Sequence, residues 1–414
     1  MNHPAILNYT KDVVFSQNTP EESYQKKNGD TIIAELKAVI NSLVDSEFRY
    51  YLHGSKHRIK AGFLMEPLWK AYLLSFILNM DCTNDLLRKL EENPSFADVC
   101  GFNMDRPLPS RWTFDRLITT LSNHSEIIER LLDKAVCQLQ QRLSGFGVTV
   151  AVDSTPVKSH SNPGKKARSD SEAGFIVKEG IPNKIWKWGY KLHLLVDTAW
   201  ELPIACDITL ARESDVVHLI PLVDKAKTRF DWFRPWHIVA DKGYDAGYNY
   251  KAVHDAGSIP IIKMKEKAKS QDGRYTLDDT GIPHCQAGLP LLLVAHDKKK
   301  GMKYICPCKA GKADCSHQCT LRVAWIRPFW EYRKFCSIPR DSKEWNAIYS
   351  KRTAVERVNS KLKEHRRLNS HCHRGLAKVR LHCLMSVLSI LMTALAEVNS
   401  NRIARVRACT RKIA

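Results

Sequence analysis

The feature that most narrows what this chain can fold into is a change of periodicity at Gly145. Upstream, from Thr31 to Gln140, apolar residues return every three or four positions, the spacing of a single buried helix face. Thr31–Phe48, Pro67–Leu78, Thr83–Glu92, Ser110–Asn123 and Glu126–Leu143 all read as helices, with Pro94, Gly101, Pro107 and Pro109 as breaks between them. Downstream the runs become short, β-branched and bounded by turn residues: Gly147–Ser154 (GVTVAVDS), Trp188–Asp197 (WGYKLHLLVD) and Pro203–Leu210 (PIACDITL). A helical stretch, Ser214–Thr228, comes next, opened by Ser214 as a cap. Trp236–Ala240 is a continuous apolar run, the mark of a strand covered on both faces. Tyr248–Ala256 is helical again, and Ile259–Lys263 is a last short strand.

Three strands followed by helix, strand, helix and strand is the order of a ribonuclease H-like core, an α/β fold with a mixed sheet and flanking helices. From Met264 to Pro339 the text turns irregular, basic and Cys-bearing, as an insert in that core would. Helical character returns at Asp341, where Asp341 and Glu344 have capping-box spacing, and the helix is expected to run to about Lys363. The expected organisation is therefore an N-terminal all-α, DNA-binding domain (1–144), the first part of the core (145–263), an irregular or β insertion domain (264–340), the second part of the core (341–399) and a basic tail (400–414).

Charge narrows the function. Lys and Arg number 64 against 44 Asp and Glu, a net +20; from Tyr349 to Ala414 there are 15 basic and 3 acidic residues, so +12 of it falls in that stretch. A field so strong and local favours a polyanion, because each neutralised phosphate releases counterions. Arg106, Arg111 and Arg116 around the fourth helix are candidate phosphate contacts. Met1–Gln17 lacks the basic-then-apolar order of a signal peptide, and Leu381–Leu395 reads as too short and too polar to span a bilayer. The expected setting is cytoplasmic, where clustered Cys points to metal rather than to disulfides.

Three carboxylates fall where such a core would bring them together. Asp153 is read as ending the first strand, Asp241 as ending the apolar strand beside it, and Glu356 lies on the late helix. Phosphoryl transfer between DNA strands calls for two divalent ions about 4 Å apart, and hard Mg²⁺ (or Mn²⁺) prefers carboxylate oxygen. At roughly 100° per residue, Tyr349, Arg352, Glu356 and Lys363 share an arc of about 60°, opposite Ala354, Val355, Val358 and Leu362. Arg352 and Lys363 would meet DNA phosphates there, with Tyr349 beside them. Lys242 and Arg357, next to the second and third carboxylates, are further candidate DNA contacts.

Tyr349-x2-Arg352-x3-Glu356-x6-Lys363 resembles the signature of a large branch of DDE-class bacterial insertion-sequence transposases, those with a β-rich insertion before the catalytic Glu. AVDST at Asp153 and VADKGYD at Asp241 look like that family's other two catalytic motifs, and WGYKLHLLVD like its second core strand, so the resemblance covers roughly Val148 to Leu395. It implies a ribonuclease H-like fold, Mg²⁺ or Mn²⁺ dependence, cleavage at the ends of a mobile element and strand transfer into target DNA. It also implies a homodimer or higher assembly bridging two terminal inverted repeats. In relatives an insert tryptophan can stack on a flipped base, and Trp325 and Trp330 are the candidates here. A nuclease of the same fold that cuts without joining, and a silent zinc-containing DNA-binding regulator, remain the alternatives.

Cys306-x-Cys308-x6-Cys315-x3-Cys319, with Pro307 and Gly311 to turn the chain, could clip the insert around a structural Zn²⁺; the spacing departs from the usual C-x2-C pair. His317 and Cys285 are spare ligands, and free thiols are the alternative.

Overall fold

A computed structural model describes residues 65–408 apart from 165–168, 179–184, 266–273, 279–281, 298–300, 315–320, 327–331, 334–336, 339 and 341, together with 34, 37, 38, 41, 48 and 49. The expected helix Thr31–Phe48 therefore lies almost wholly outside the described residues, as do Asp341, Cys315, Cys319, His317 and Trp330.

Among the described residues from 65 onward, five helices precede the sheet: α1 (Met65–Ile77), α2 (Thr83–Glu92), α3 (Pro94–Cys100), α4 (Arg111–Asn123) and α5 (Glu126–Arg142). Helix α3 was not expected, because its Pro94 and Gly101 read as breaks. They are its ends: Pro94 sits in the first turn, Asn93 accepts from the Phe96 amide, and Gly101 closes the helix at φ 87°.

The sheet that follows contains β1 (Thr149–Lys158), β2 (Gly174–Lys178), β3 (Ile185–Asp197), β4 (Leu202–Leu210), β5 (His237–Ala240) and β6 (Ile259–Ile262), with α6 (Leu219–Arg229) and α7 (Gly247–Asp255) in its connections. β3 pairs antiparallel with β1, β2 and β4, whereas β5 runs parallel to both β1 and β6. The result is a mixed sheet with β1 at its centre. Gly189 allows β3 to cross β1 closely: its φ is 155°, and a Cβ there would lie 1.9 Å from the Val157 carbonyl oxygen.

The segment after β6 forms short strands with a separate small core of Leu277, Cys285, Leu291, Tyr304, Cys306, Leu321, Ala324 and Ile326. These strands are β7 (Tyr275–Leu277), β8 (Pro283–Cys285), β9 (Leu292–Asp297), β10 (Gly301–Ile305) and β11 (Val323–Ile326). Three helices follow: α8 (Lys343–Ser350), α9 (Thr353–His365) and α10 (Leu376–Asn399). The late helix expected as one piece is two, meeting at Lys351 and Arg352, and its cap is Ser342, whose hydroxyl accepts from the Trp345 amide at 3.1 Å.

Helix α10 corrects another expectation. It is long and apolar enough to cross a membrane by length and composition (mean hydropathy 1.8), yet 94% of that window is buried inside the protein. It packs against α1, α4, α5 and β4, so one continuous core joins the N-terminal helices to the sheet. Its apolar surface is thus consumed by protein on all sides, as expected of a central helix.

Candidate active site

The parallel register pairs Val152 of β1 with Ala240 of β5, so the next residue on each strand is a carboxylate, Asp153 beside Asp241. Neighbouring strands lie about 5 Å apart, which sets the scale of the separation between their backbones. Val152 and Ala240 are fully buried, and the two Asp, one step along the pleat, are only half-buried. β1 does not end at Asp153, as the sequence suggested. It runs on to Lys158 against β3, and Asp153 marks the point where the parallel pairing with β5 stops. The chain turns instead at Asp241, which caps a short 3₁₀ turn and accepts from the Gly243 amide at 2.7 Å.

Helix α9 lies over these strands. Asn359 Nδ2 donates to Asp153 Oδ2 at 3.3 Å, while its amide oxygen is buried without a hydrogen-bond partner. Glu356, one turn earlier, is half-exposed and paired with Arg352 at 2.9 Å. Burial opposes the charge on Arg352, but Glu356, Tyr349 and Asp153 outweigh it and keep the guanidinium firmly protonated. Tyr349 stacks on Trp345 at 4.7 Å between ring centres, and the Arg352 guanidinium lies 5.8 Å from its ring. Burial raises the Tyr349 phenol above its ordinary range; Arg352 offsets part of this, and Asp241 and Glu356 add to it. Arg352 therefore senses Glu356 and Asp153, and Tyr349 senses Asp241 and Glu356. The three carboxylates share one neighbourhood, with Tyr349 and Arg352 inside it.

The other candidate contacts divide. Lys242 is exposed on the turn directly after Asp241. Lys363 lies farther along α9, in a cleft with Lys158 and Lys187. Arg357 points elsewhere, bonding Glu201 at 2.7 Å and the Thr353 hydroxyl at 2.8 Å. Arg106, Arg111 and Arg116 are exposed on and before α4.

Several residues around the site went unnoticed in the sequence. Asp215 bonds Lys191 of β3 at 2.8 Å; burial opposes its charge, but Lys191 and the Ser154 hydroxyl hold it below the usual carboxylate range. Tyr244 is buried, and that burial, with the charges of Asp153, Asp215 and Asp241 adding to it, raises its hydroxyl well above the ordinary value. Asp245 has no exposed side-chain surface and receives Arg333 at 2.8 and 2.7 Å, the Lys265 amide and the Tyr250 hydroxyl. It fastens the loop after Asp241 to a residue near the end of the insert. The signal was present in VADKGYD, where Asp245 is the second acid, but the partner lies 88 positions away in the chain.

An oxygen-only set of carboxylates on separate rigid elements, with the unpartnered Asn359 carbonyl beside Asp153, fits the donor preference of a hard divalent cation. Among the described residues no group of three His, Cys, Asp or Glu is drawn together tightly enough to hold a metal ion; Glu356 is turned toward Arg352. In the insert, burial opposes ionisation of the Cys306 thiol, but the amides of Lys309 and Cys308 and the thiols of Cys308 and Cys285 hold it below its usual range. Cys285 and Cys308 are thus both neighbours of Cys306.

Residues 144–392 match the family model described as the transposase DDE domain. A stretch of 93 residues, 21% of the chain, is 33% identical to a putative transposase for insertion sequence element IS402 of Burkholderia cepacia, of which it spans 44%. The cryo-EM structure of the piggyBac transposase synaptic complex with hairpin DNA superposes with a TM-score of 0.40 at 13% identity, covering 92% of this chain and 79% of that one. The family match takes in more than half of the chain, including Asp153, Asp241 and Glu356, and the chain therefore belongs to the DDE transposase family.

Proposed function

We propose that the protein is a DNA transposase whose ribonuclease H-like core cuts the ends of a mobile element and joins them to target DNA. The observation that carries this reading is the adjacency of Asp153 and Asp241 on parallel strands, under a helix that bears Glu356 and touches Asp153 through Asn359. Asp153, Asp241 and Glu356 are the catalytic carboxylates, and two Mg²⁺ (or Mn²⁺) ions held by them would supply charge neutralisation at the attacking and leaving oxygens. Arg352 has Glu356 as its counter-ion until a DNA phosphate, itself anionic and bidentate, takes its place. Tyr349, Lys242 and Lys363 lie along the same strand path.

Chemically, water attacks phosphorus in line at the element's end, forming a P–O bond as the P–O3′ bond breaks and frees a 3′ hydroxyl. That hydroxyl then attacks a target phosphodiester, whose own P–O3′ bond breaks. The partners in this reading are terminal inverted repeats and target DNA in the bacterial cytoplasm, bridged by a homodimer or higher assembly. Cys306 and Cys308, with Cys285, would form part of a structural Zn²⁺ clip completed by Cys315 or Cys319, which stabilises the insert without joining the chemistry.

The test is a plasmid carrying the gene's own flanking DNA, incubated with purified protein and Mg²⁺ beside Glu356→Gln. Release and joining of the ends by the wild type alone supports transposition. Cleavage without joining would make the protein a nuclease, and binding without cleavage by either protein would make it a regulator.

A further inference from the structure

The loop that carries Asp241 is held from its far end, and by the insert. Asp241 and Asp245 are the two caps of a single 3₁₀ turn, Lys242–Tyr244. The turn has little slack. The Asp241 carboxylate accepts from the Gly243 amide at 2.7 Å, the Asp241 carbonyl from the Tyr244 amide at 3.2 Å, and the Lys242 carbonyl from the Asp245 amide at 3.3 Å. Tyr244 is buried, and its carbonyl accepts from the Asn249 amide group at 2.9 Å. A Cβ at Gly243 would lie 2.7 Å from Asp241 Oδ1, so the carboxylate packs directly onto the turn. At about 2 Å per residue, the two Asp backbones stand about 8 Å apart across a stiff link.

Both ends of the insert arrive at Asp245. Lys265, at its start, donates its backbone amide to Asp245 Oδ2 at 2.9 Å. Arg333, near its end, grips both carboxylate oxygens, Nε to Oδ1 at 2.8 Å and a terminal nitrogen to Oδ2 at 2.7 Å. The Tyr250 hydroxyl stands 3.0 Å from Asp245 Oδ1 and 3.1 Å from the carbonyl of Ile262, the last residue of β6 before the insert. Arg340, where the insert returns to the core, donates to the Arg333 carbonyl at 2.7 Å, with its guanidinium 5.7 Å from the Tyr250 ring. The Asp245 side chain has no exposed surface. Separating a two-pronged pair of this kind leaves a charge buried without its partner, so carboxylate and guanidinium move together.

We propose that Asp245 is a clasp through which the insert sets the position of Asp241, with Arg333 and Lys265 as positioning residues that act through Asp245 and the turn on the second catalytic carboxylate. The proposal rests on the transposase reading above for the role of Asp241, and it adds a mechanical link. A ligand that shifts the insert shifts Arg333, and the displacement reaches Asp241 because the turn between the two Asp is too tight to absorb it. The insert thereby takes part in assembling the metal site from a distance.

The experiment uses the full chain, wild type beside Arg333→Ala, Arg333→Lys and Gly243→Ala. Three quantities are measured: Mn²⁺ affinity of the DNA-free protein by electron paramagnetic resonance, amide hydrogen exchange in the 241–247 loop, and cleavage of duplexes of the gene's flanking DNA as a function of Mg²⁺ concentration. The proposal expects Arg333→Ala to lower Mn²⁺ affinity about 10- to 100-fold and to speed exchange in the loop. Its cleavage should need correspondingly more Mg²⁺ to reach half its maximum, while the maximal rate recovers at saturation. Arg333→Lys keeps the charge but loses the two-pronged grip, and should weaken Mn²⁺ binding about 3- to 10-fold. Gly243→Ala, which displaces Asp241 directly, should reproduce the loss with the Arg333 pair intact. Wild-type Mn²⁺ affinity and loop exchange in either folded Arg333 variant, even one of lowered stability, would overturn the clasp and leave the transposase reading untouched. A wild type that binds Mn²⁺ with this dependence on Arg333, yet cuts no flanking duplex, would support the clasp and remove the transposase reading. Absence of Mn²⁺ binding by the wild type would overturn both.

Discussion

Replacing Glu201 by Gln should loosen the catalytic helix from behind. The Glu201 carboxylate is nearly buried, at 4% exposure, and draws in Arg357 and Lys361 of α9, each at 2.7 Å, together with Arg407 from the end of the described chain. Burial alone would raise its pKa, but the bonds from Lys361, Arg407 and Arg357 outweigh it and hold the carboxyl down at about 2 against an ordinary 4.5. That difference corresponds to about 3 kcal/mol at neutral pH. Arg357 and Arg407 are about half exposed, at 47% and 54%, so solvent screening brings the figure closer to 2 kcal/mol. Because the folded pKa is the depressed one, the stabilisation is complete above 4.5 and is lost as pH falls toward about 2. Urea unfolding of wild type and Glu201→Gln should therefore show a gap of about 2 kcal/mol at neutral pH that closes steadily in acid. Equal midpoints at neutral pH, or a gap that persists unchanged at the acid end, would refute the assignment. Cleavage should fall as well, although Glu201 lies on the face of α9 away from Glu356, because α9 sets where Glu356 sits.

Three further outcomes follow from the same geometry. Asn359→Ala should reduce metal-dependent cleavage about 10- to 100-fold with DNA binding intact, since it removes the amide that orients Asp153; an unchanged rate would remove Asn359 from the site. Asp245→Asn neutralises the buried carboxylate that receives Arg333 and should cost about 3 kcal/mol in urea unfolding; a loss under about 1 kcal/mol would mean that the ion pair does not hold this loop in place. Gly189→Ala places a Cβ 1.9 Å from the Val157 carbonyl and should destabilise the protein by at least about 2 kcal/mol in thermal unfolding, or force the β1–β3 register apart; near wild-type stability would show that the crossing is not tight.

What the sequence discloses here is what local periodicity can carry. Ile238, Val239 and Ala240 are apolar because β5 is buried between β1 and β6, and that run ties Asp241 to the strand beside Asp153, whereas Trp236, just before β5, is exposed. The Tyr349–Lys363 stretch announces its core face through Ala354, Val355, Val358 and Leu362, all of them buried. Other features escape because their causes are distant in the chain. Asn359 is an ordinary surface residue by type, and its role exists only because α9 lies across β1, 206 positions earlier. Asp215 and Lys191 likewise meet across a strand and a turn. Arg357, a candidate DNA contact, follows Glu356 in the chain, but on a helix the next residue is about 100° away, and that turn brings it to Glu201. Pro94 and Gly101 illustrate the opposite ambiguity, since the residues that break a helix are also those that start and stop one. Leu381–Leu395 reads as too short and too polar for a membrane span, but the helix extends over Leu376–Asn399 and is apolar enough for one; its burial inside the protein is what marks it as a central helix.

The central claim is that Asp153, Asp241 and Glu356 hold divalent metal for phosphoryl transfer, and exchanging one ligand for a softer atom tests it most directly. Asp241→Cys should be folded, bind flanking DNA and fail to cleave it in Mg²⁺, because a hard ion accepts thiolate poorly. Substituting Mn²⁺, which accepts sulfur more readily, should restore a measurable part of the cleavage in this variant while changing the wild type little. Full cleavage by Asp241→Cys in Mg²⁺ would contradict the account, because Asp241 would then not be a ligand.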